Sequence, residues 1–198
     1  IPTNIPIIFA PDKNLGKWVE HQSGRKLKLW PGSCIVHETF SEEALIKLKL
    51  KNPDAEIIAH PECTEVLLDY SDFIGSTSKL LNRVQDSSAQ SFIVLTEPGI
   101  IHQMRLKEPQ KSFFEVPGID GCSCNACPYM RLNTLEKLYK CLKSMDPEIF
   151  IDEDLRRKAL KPIERISRHD ISFRLISRLR VSLSSDMMVS FRRFLCIV

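Results

Sequence analysis

AEIIAHPEC at residues 55–63 and SFIVLTEPG at residues 91–99 decide the fold. Each is a short, mostly apolar run that stops abruptly in polar, turn-forming residues. Runs this short fall below helix length, and their continuous apolar character suits strands covered on both faces. KSFFEV at residues 111–116 is a third such run, stopping at Pro117 and Gly118. Helical patterns separate them: residues 64–69 and 76–84 between the first and second, and a short helix over 102–107 between the second and third. This alternation predicts parallel strands joined by crossover helices, an α/β layer fold. In such folds the polar residues just past the carboxyl ends of the strands build the site.

Upstream, PIIFA at 6–10 ends at Pro11 and Asp12, and KLKLW at 26–30 ends at Pro31 and Gly32. Both read as strands. Residues 41–50 read as a helix with Ser41 as N-cap, acids in the first turn and lysines in the last. Downstream, 134–143 and 153–168 read as helices. The strand-end residues are therefore Asp12, Cys34 with His37, His60 with Glu62, Thr96 with Glu97, and the segment after Val116.

The chain has 198 residues, enough for one large domain or two small ones, and its 43% apolar content suits a buried core. A formal charge of +3 is mild, and the Lys and Arg residues are spread over solvated helix faces. Nucleic-acid binding has little support. No apolar run approaches the ~20 residues needed to span a bilayer. The opening IPTNIPIIFAPD lacks the basic region and cleavage site of a signal peptide and reads like the middle of a domain. Seven cysteines, odd in number and unevenly spread, make a poor disulfide framework. A reducing, cytosol-like compartment is expected, where clustered thiols more often serve metal or catalysis.

GCSCNACPYM at 121–130 places Cys122, Cys124 and Cys127 within six residues. The spacing suits zinc or an iron–sulfur cluster, a redox C-x-x-C, or a structural turn, and the sequence alone leaves all three open. WPGSCIVH at 30–37 pairs Cys34 with His37, as nucleophile and base or as metal ligands, against a small buried Cys and a surface His. His60 and Glu62 stand two apart at a strand end and suit proton transfer; the plainer reading is a helix start with Glu62 on the dipole and Thr64 as cap. Gly75, Ser76 and Thr77 precede an apolar helix. They read as a phosphate cradle or, more plainly, as a Ser/Thr cap.

Taken in order, these segments resemble the quinolinate synthase family. The matching pieces are PDKNLG at 11–16, WPGSCIVH at 30–37, HPEC at 60–63, DFIGSTS at 72–78, TEPGIIHQM at 96–104, CNACPYMRLNTLEKL at 124–138 and, more weakly, RKALKPIERI at 157–166. The resemblance covers about residues 7 to 167. It implies an iron–sulfur enzyme of NAD biosynthesis built from three similar three-layer α/β domains around a shared [4Fe-4S] cluster. That enzyme condenses iminoaspartate with dihydroxyacetone phosphate to quinolinate. Cys34 and Cys127 match cluster ligands; Cys122 and Cys124 would be redox-capable neighbours, with a regulatory disulfide between Cys124 and Cys127 as one use. His37, His60 and Glu62 match active-site positions, and Ser76 and Thr77 match residues binding the substrate's phosphate or carboxylate end. Thr96, Glu97 and His102 match a recurrent segment without an assigned step.

By the same resemblance, residues 1–37 are the C-terminal part of a second domain and 38–121 a complete third domain. Residues 122–168 carry a cluster-ligand loop and helices that close on a first domain, and 169–198 form an unmatched basic tail. That tail reads as poorly specified chain, with an amphipathic docking helix as the alternative. No segment matches the first domain, so the chain is expected to be inactive alone. A non-catalytic metal-binding or scaffold fragment is the alternative, and a ferredoxin-like electron carrier a third reading. L-aspartate oxidase is the expected supplier of iminoaspartate. The cytoplasm is the expected location, with a plastid as alternative.

Overall fold

The computed structural model describes residues 1–119 and 125–169. Cys122, Cys124 and the tail beyond 169 lie outside the described residues. The chain divides into two compact units, residues 1–132 and 133–198.

The first unit opens with β1 (Ile8–Phe9), α1 (Lys13–Ser23) and β2 (Lys28–Leu29), the two strands pairing in parallel. The sequence reading places both strands but not α1. Its start is set by Asp12, whose side chain accepts the Leu15 N–H, and its end by Gly24 at φ 65°. Gly16 lets the helix lie close on β2: a Cβ there would stand 2.4 Å from Leu29 Cδ2. After β2 come a one-turn α2 (Ile35–Glu38) and then α3 (Glu42–Lys51), capped by Ser41 as expected.

Next follow β3 (Glu56–Ala59), α4 (Glu65–Asp69), β4 (Phe73–Ile74), α5 (Thr77–Asp86), β5 (Ser91–Leu95), α6 (Gly99–Lys107) and β6 (Ser112–Glu115). They form a four-stranded, wholly parallel sheet of order β4-β3-β5-β6. Three details differ from expectation. The helix expected over 102–107 begins three residues earlier, at Gly99. The strand β4 is too short to carry a period in the sequence. Thr64 stands at the start of α4, but its side chain makes no capping bond.

Side-chain alternation explains the layers. Ile57, Ala59, Ile93 and Leu95 face one side, packing with Val36, Leu45 and Leu67 from α2, α3 and α4. Ile58, Phe92, Val94 and Phe113 face the other, packing with Leu80 and Val84 of α5 and Ile101 and Met104 of α6. Both faces are dry, so β3 and β5 read as continuous apolar runs. Because all four strands run the same way, their carboxyl ends share one edge. That edge presents His60 and Glu62 after β3, Ser76 and Thr77 after β4, and Thr96 after β5.

In the second unit, α7 (Leu135–Ser144) and α8 (Glu153–His169) form as expected, α7 with Thr134 as N-cap. On α7, Leu135, Leu138, Tyr139 and Leu142 recur at helical spacing and are all exposed.

Leu80 is fully buried. Leu80→Ala should destabilise the first unit by about 2–5 kcal/mol, whereas Leu135→Ala, at an exposed site, should change stability by about 0.5 kcal/mol or less. Chemical denaturation of the two variants beside the unmodified chain checks the contrast.

Candidate functional site

Asp12 is almost wholly buried, and its carboxylate serves two backbone amides. One oxygen accepts from Leu15 at 2.7 Å and the other from Cys34 at 2.8 Å. The turn after β2 is thereby tied to the start of α1. Cys34 stands at the N-terminus of α2 without its thiol capping the helix, so the sulfur is left for other chemistry.

His37, one turn further, is 6% exposed. Its Nε2 lies 3.1 Å from Thr96 Oγ1 at the end of β5, and its Nδ1 lies 3.1 Å from Glu62 Oε2. The second approach lacks hydrogen-bond alignment, and Nδ1 has no aligned hydrogen-bond partner among the described residues. His60 stacks on the His37 ring, centroids 4.6 Å apart, with its own Nδ1 3.7 Å from Glu62 Oε2. One donor atom each from Cys34, His37 and Glu62 lie within 4.8 Å of one another. Five sequence-predicted residues thus meet at one place: Cys34, His37, His60, Glu62 and Thr96.

The electrostatics follow from this crowding. Burial lowers the His60 pKa, reinforced by the nearby His37 charge and opposed by Glu62 and Asp12. His60 is therefore biased toward neutral imidazole, able to take a proton. Hydrogen-bonding contact with the His37 side chain holds the Glu62 carboxyl below its ordinary value against burial.

Asn14 and Asn125 went unassigned in the sequence reading. Asn14 donates to the Glu62 carbonyl at 3.1 Å and to Glu38 Oε2 at 3.4 Å, joining α1 to the loop after β3. Asn125 Nδ2 donates to the Val36 carbonyl at 2.6 Å, and its Oδ1 lies 3.1 Å from Thr39 Oγ1. That pins the loop carrying Cys127 to α2. Cys127 and Cys34 accordingly pack against the same apolar cluster, and the Met130 N–H points to Cys127 Sγ at 3.5 Å. The only sequence signal for these two asparagines was their place inside motifs already singled out.

The remaining candidates separate. Ser76 caps α5, accepting from the Lys79 N–H, and with Thr77 stays exposed one strand away. Glu97 closes its turn by accepting from the Gly99 N–H at 2.7 Å, and His102 is exposed on α6. Cys63 is completely buried, its thiol donating to the Leu95 carbonyl at 3.4 Å, and burial pushes the thiol pKa up strongly. A cleft of about 140 Å³ lies beside α1 and α4, touching Asn14 and Cys63 but none of the three clustered donors.

Fold and site together define a parallel α/β protein with thiol, imidazole and carboxylate gathered at the carboxyl edge of its strands. Residues 1–168 match the family described as NadA, quinolinate synthetase A protein. Quinolinate synthases from Prochlorococcus marinus (strain MIT 9313), Microcystis aeruginosa and Nostoc sp. are 66%, 60% and 57% identical to it over 166 residues, 84% of this chain. The chain belongs to the quinolinate synthase family. It spans about half the length of these relatives, 50%, 52% and 51% respectively.

Two outcomes check the site chemistry. In native protein, a thiol-alkylating reagent should modify Cys34 and leave Cys63 untouched until the chain unfolds, as read by peptide mass. Glu38, a third exposed, has its pKa lowered chiefly by the 2.7 Å hydrogen bond from Lys13. A depressed carboxyl stabilises the fold above its unfolded pKa, and that contribution is lost as pH falls through the folded value. Lys13→Met should raise the Glu38 midpoint in a carboxyl NMR titration and shrink this acid-side loss, by less than about 1 kcal/mol.

Proposed function

We propose that this chain forms the part of a quinolinate synthase that holds two ligands of a [4Fe-4S] cluster and the proton-transfer groups beside it. The observation that carries the reading is the convergence of Cys34, His37 and Glu62 within 4.8 Å at the strand ends, with Cys127 packed on the same apolar cluster. The donor set fits the group. Two half-buried thiols pack against one apolar cluster, and an N–H is directed at the Cys127 sulfur, which suits iron–sulfur ligation. Cys34 and Cys127 would hold the cluster, which supplies a Lewis acid for polarising a substrate oxygen or nitrogen.

The chain's own groups do the remaining work of condensing iminoaspartate with dihydroxyacetone phosphate. His60, kept neutral by burial, takes a proton at a ring nitrogen. Glu62 holds the His37 and His60 rings in place and neutralises positive charge that gathers on them. Thr96 fixes the His37 ring through Nε2. Ser76 and Thr77, at the start of the ten-residue α5, offer hydroxyls and helix-terminal amides to the phosphate or carboxylate end of a substrate.

The exposed apolar stripe of α7 is the surface on which the remainder of a quinolinate synthase would close. Iminoaspartate would come from an L-aspartate oxidase, and the enzyme would work in the cytoplasm.

Anaerobic reconstitution with iron and sulfide tests the reading. An iron count and the cluster absorbance should collapse in Cys34→Ala and in Cys127→Ala and persist in Cys63→Ala. A cluster that survives both of the first two changes would overturn the ligand assignment.

A further inference from the structure

Among the described residues, His37 Nδ1 is a buried ring nitrogen without an aligned hydrogen-bond partner, 3.1 Å from a carboxylate oxygen. The other ring nitrogen faces Thr96 Oγ1 at 3.1 Å. In the tautomer that places the proton on Nε2 and donates it to that hydroxyl, Nδ1 turns a lone pair toward Glu62. Cys34 adds a third electron-rich atom, all three donors lying within 4.8 Å of one another. An imidazole nitrogen, a carboxylate and a thiol facing one point can share protons, as His37 and Cys34 do toward Glu62 here, or give those protons up to a metal cation held among them.

We propose that Cys34, His37 and Glu62 form a mononuclear site for a divalent transition-metal ion of the zinc class, with a fourth position open. The donor types match: zinc takes thiolate at about 2.3 Å and imidazole or carboxylate at about 2.0–2.2 Å, which puts tetrahedral donor–donor edges near 3.5 Å. The His37–Glu62 pair already stands at 3.1 Å, and the widest edge must close by about 1 Å, within reach of side-chain rotation. Thr96 supplies the outer hydrogen bond that a metal-bound histidine needs to fix its tautomer. Asp12 holds the Cys34 backbone and Asn14 the Glu62 backbone, so both flanking ligands are pre-positioned. Binding converts the Cys34 thiol to thiolate and releases its proton to solvent, with no change of oxidation state.

This site goes beyond the cluster reading but uses residues that reading also assigns: Cys34 as a cluster ligand, and His37 and Glu62 as groups beside the cluster. A zinc-class ion and the cluster therefore exclude each other, and ion binding would be a competing fate of the same chain. Cys127 is outside the three-donor group, which makes the two states separable.

The test titrates the metal-free, anaerobic chain with Co²⁺ and reads the visible bands of a four-coordinate ion and the thiolate charge-transfer band. One equivalent should bind and be displaced by Zn²⁺. The charge-transfer band should vanish in Cys34→Ser. Affinity should fall more than about 100-fold in His37→Gln and in Glu62→Gln, and roughly 10–100-fold in Thr96→Val. Cys127→Ala should bind within about twofold of the unmodified chain, while losing the iron–sulfur cluster. In unmodified protein, where folding of a variant is not in question, Zn²⁺ should protect Cys34 from alkylation and leave Cys127 reactive. It should also lower the yield of subsequent cluster assembly.

The proposal is overturned if Co²⁺ fails to bind stoichiometrically, if the charge-transfer band survives Cys34→Ser, or if Zn²⁺ protects Cys127 instead of Cys34. Failure of the cluster reading looks different: iron and sulfide then yield no cluster on the metal-free chain, whatever Co²⁺ does.

Discussion

The buried Asp12 carboxylate is the constraint on which the site depends. Its two oxygens accept amides from opposite sides of a helix-long insertion, one from Leu15 and one from Cys34. A charge so nearly buried is tolerated because both oxygens are satisfied, and breaking one bond would leave it uncompensated. With that clamp in place, the end of β1, the start of α1 and the turn after β2 move as one piece. Asn14, two residues on, then reaches the Glu62 carbonyl and joins that piece to the four-stranded sheet.

The parallel sheet supplies the second half of the arrangement. Strands of one direction end at one edge, and the register pairing Ala59 with Leu95 and with Ile74 brings the residues after β3, β5 and β4 level with one another. His60, Glu62 and Thr96 need no further device to come together. His37 is then inserted from α2 between Thr96 and Glu62, with His60 stacked on its ring. Asn125 holds the second cysteine segment to the carbonyl end of the same short helix.

Much of this was legible in the sequence. The three apolar runs at 55–59, 91–96 and 111–116 are strands, the first two buried and the third at the sheet edge, and the polar residues that follow the first two line the site edge. The α1 helix was not legible, because KNLGKWVEHQS carries an Asn and a Gly where a helix former would be expected. Its glycine makes sense only against Leu29. The two-residue β4 has no period to read. Thr96 read as a strand-end residue, but its pairing with His37 spans 59 positions of chain, and no local rule connects them. The same holds for Asn125 and Val36, 89 positions apart. Family resemblance gathered His37, His60 and Glu62 into one site without saying which atoms meet.

We propose that Cys34 and Cys127, held by separate clamps, serve one metal centre. The most direct test is an anomalous-scattering map from crystals grown after anaerobic loading with iron and sulfide. Iron density is expected within bonding distance of both Cys34 Sγ and Cys127 Sγ, beside the His37 and Glu62 side chains. Iron bound away from both sulfurs, with Cys34 still a free thiol, would contradict it.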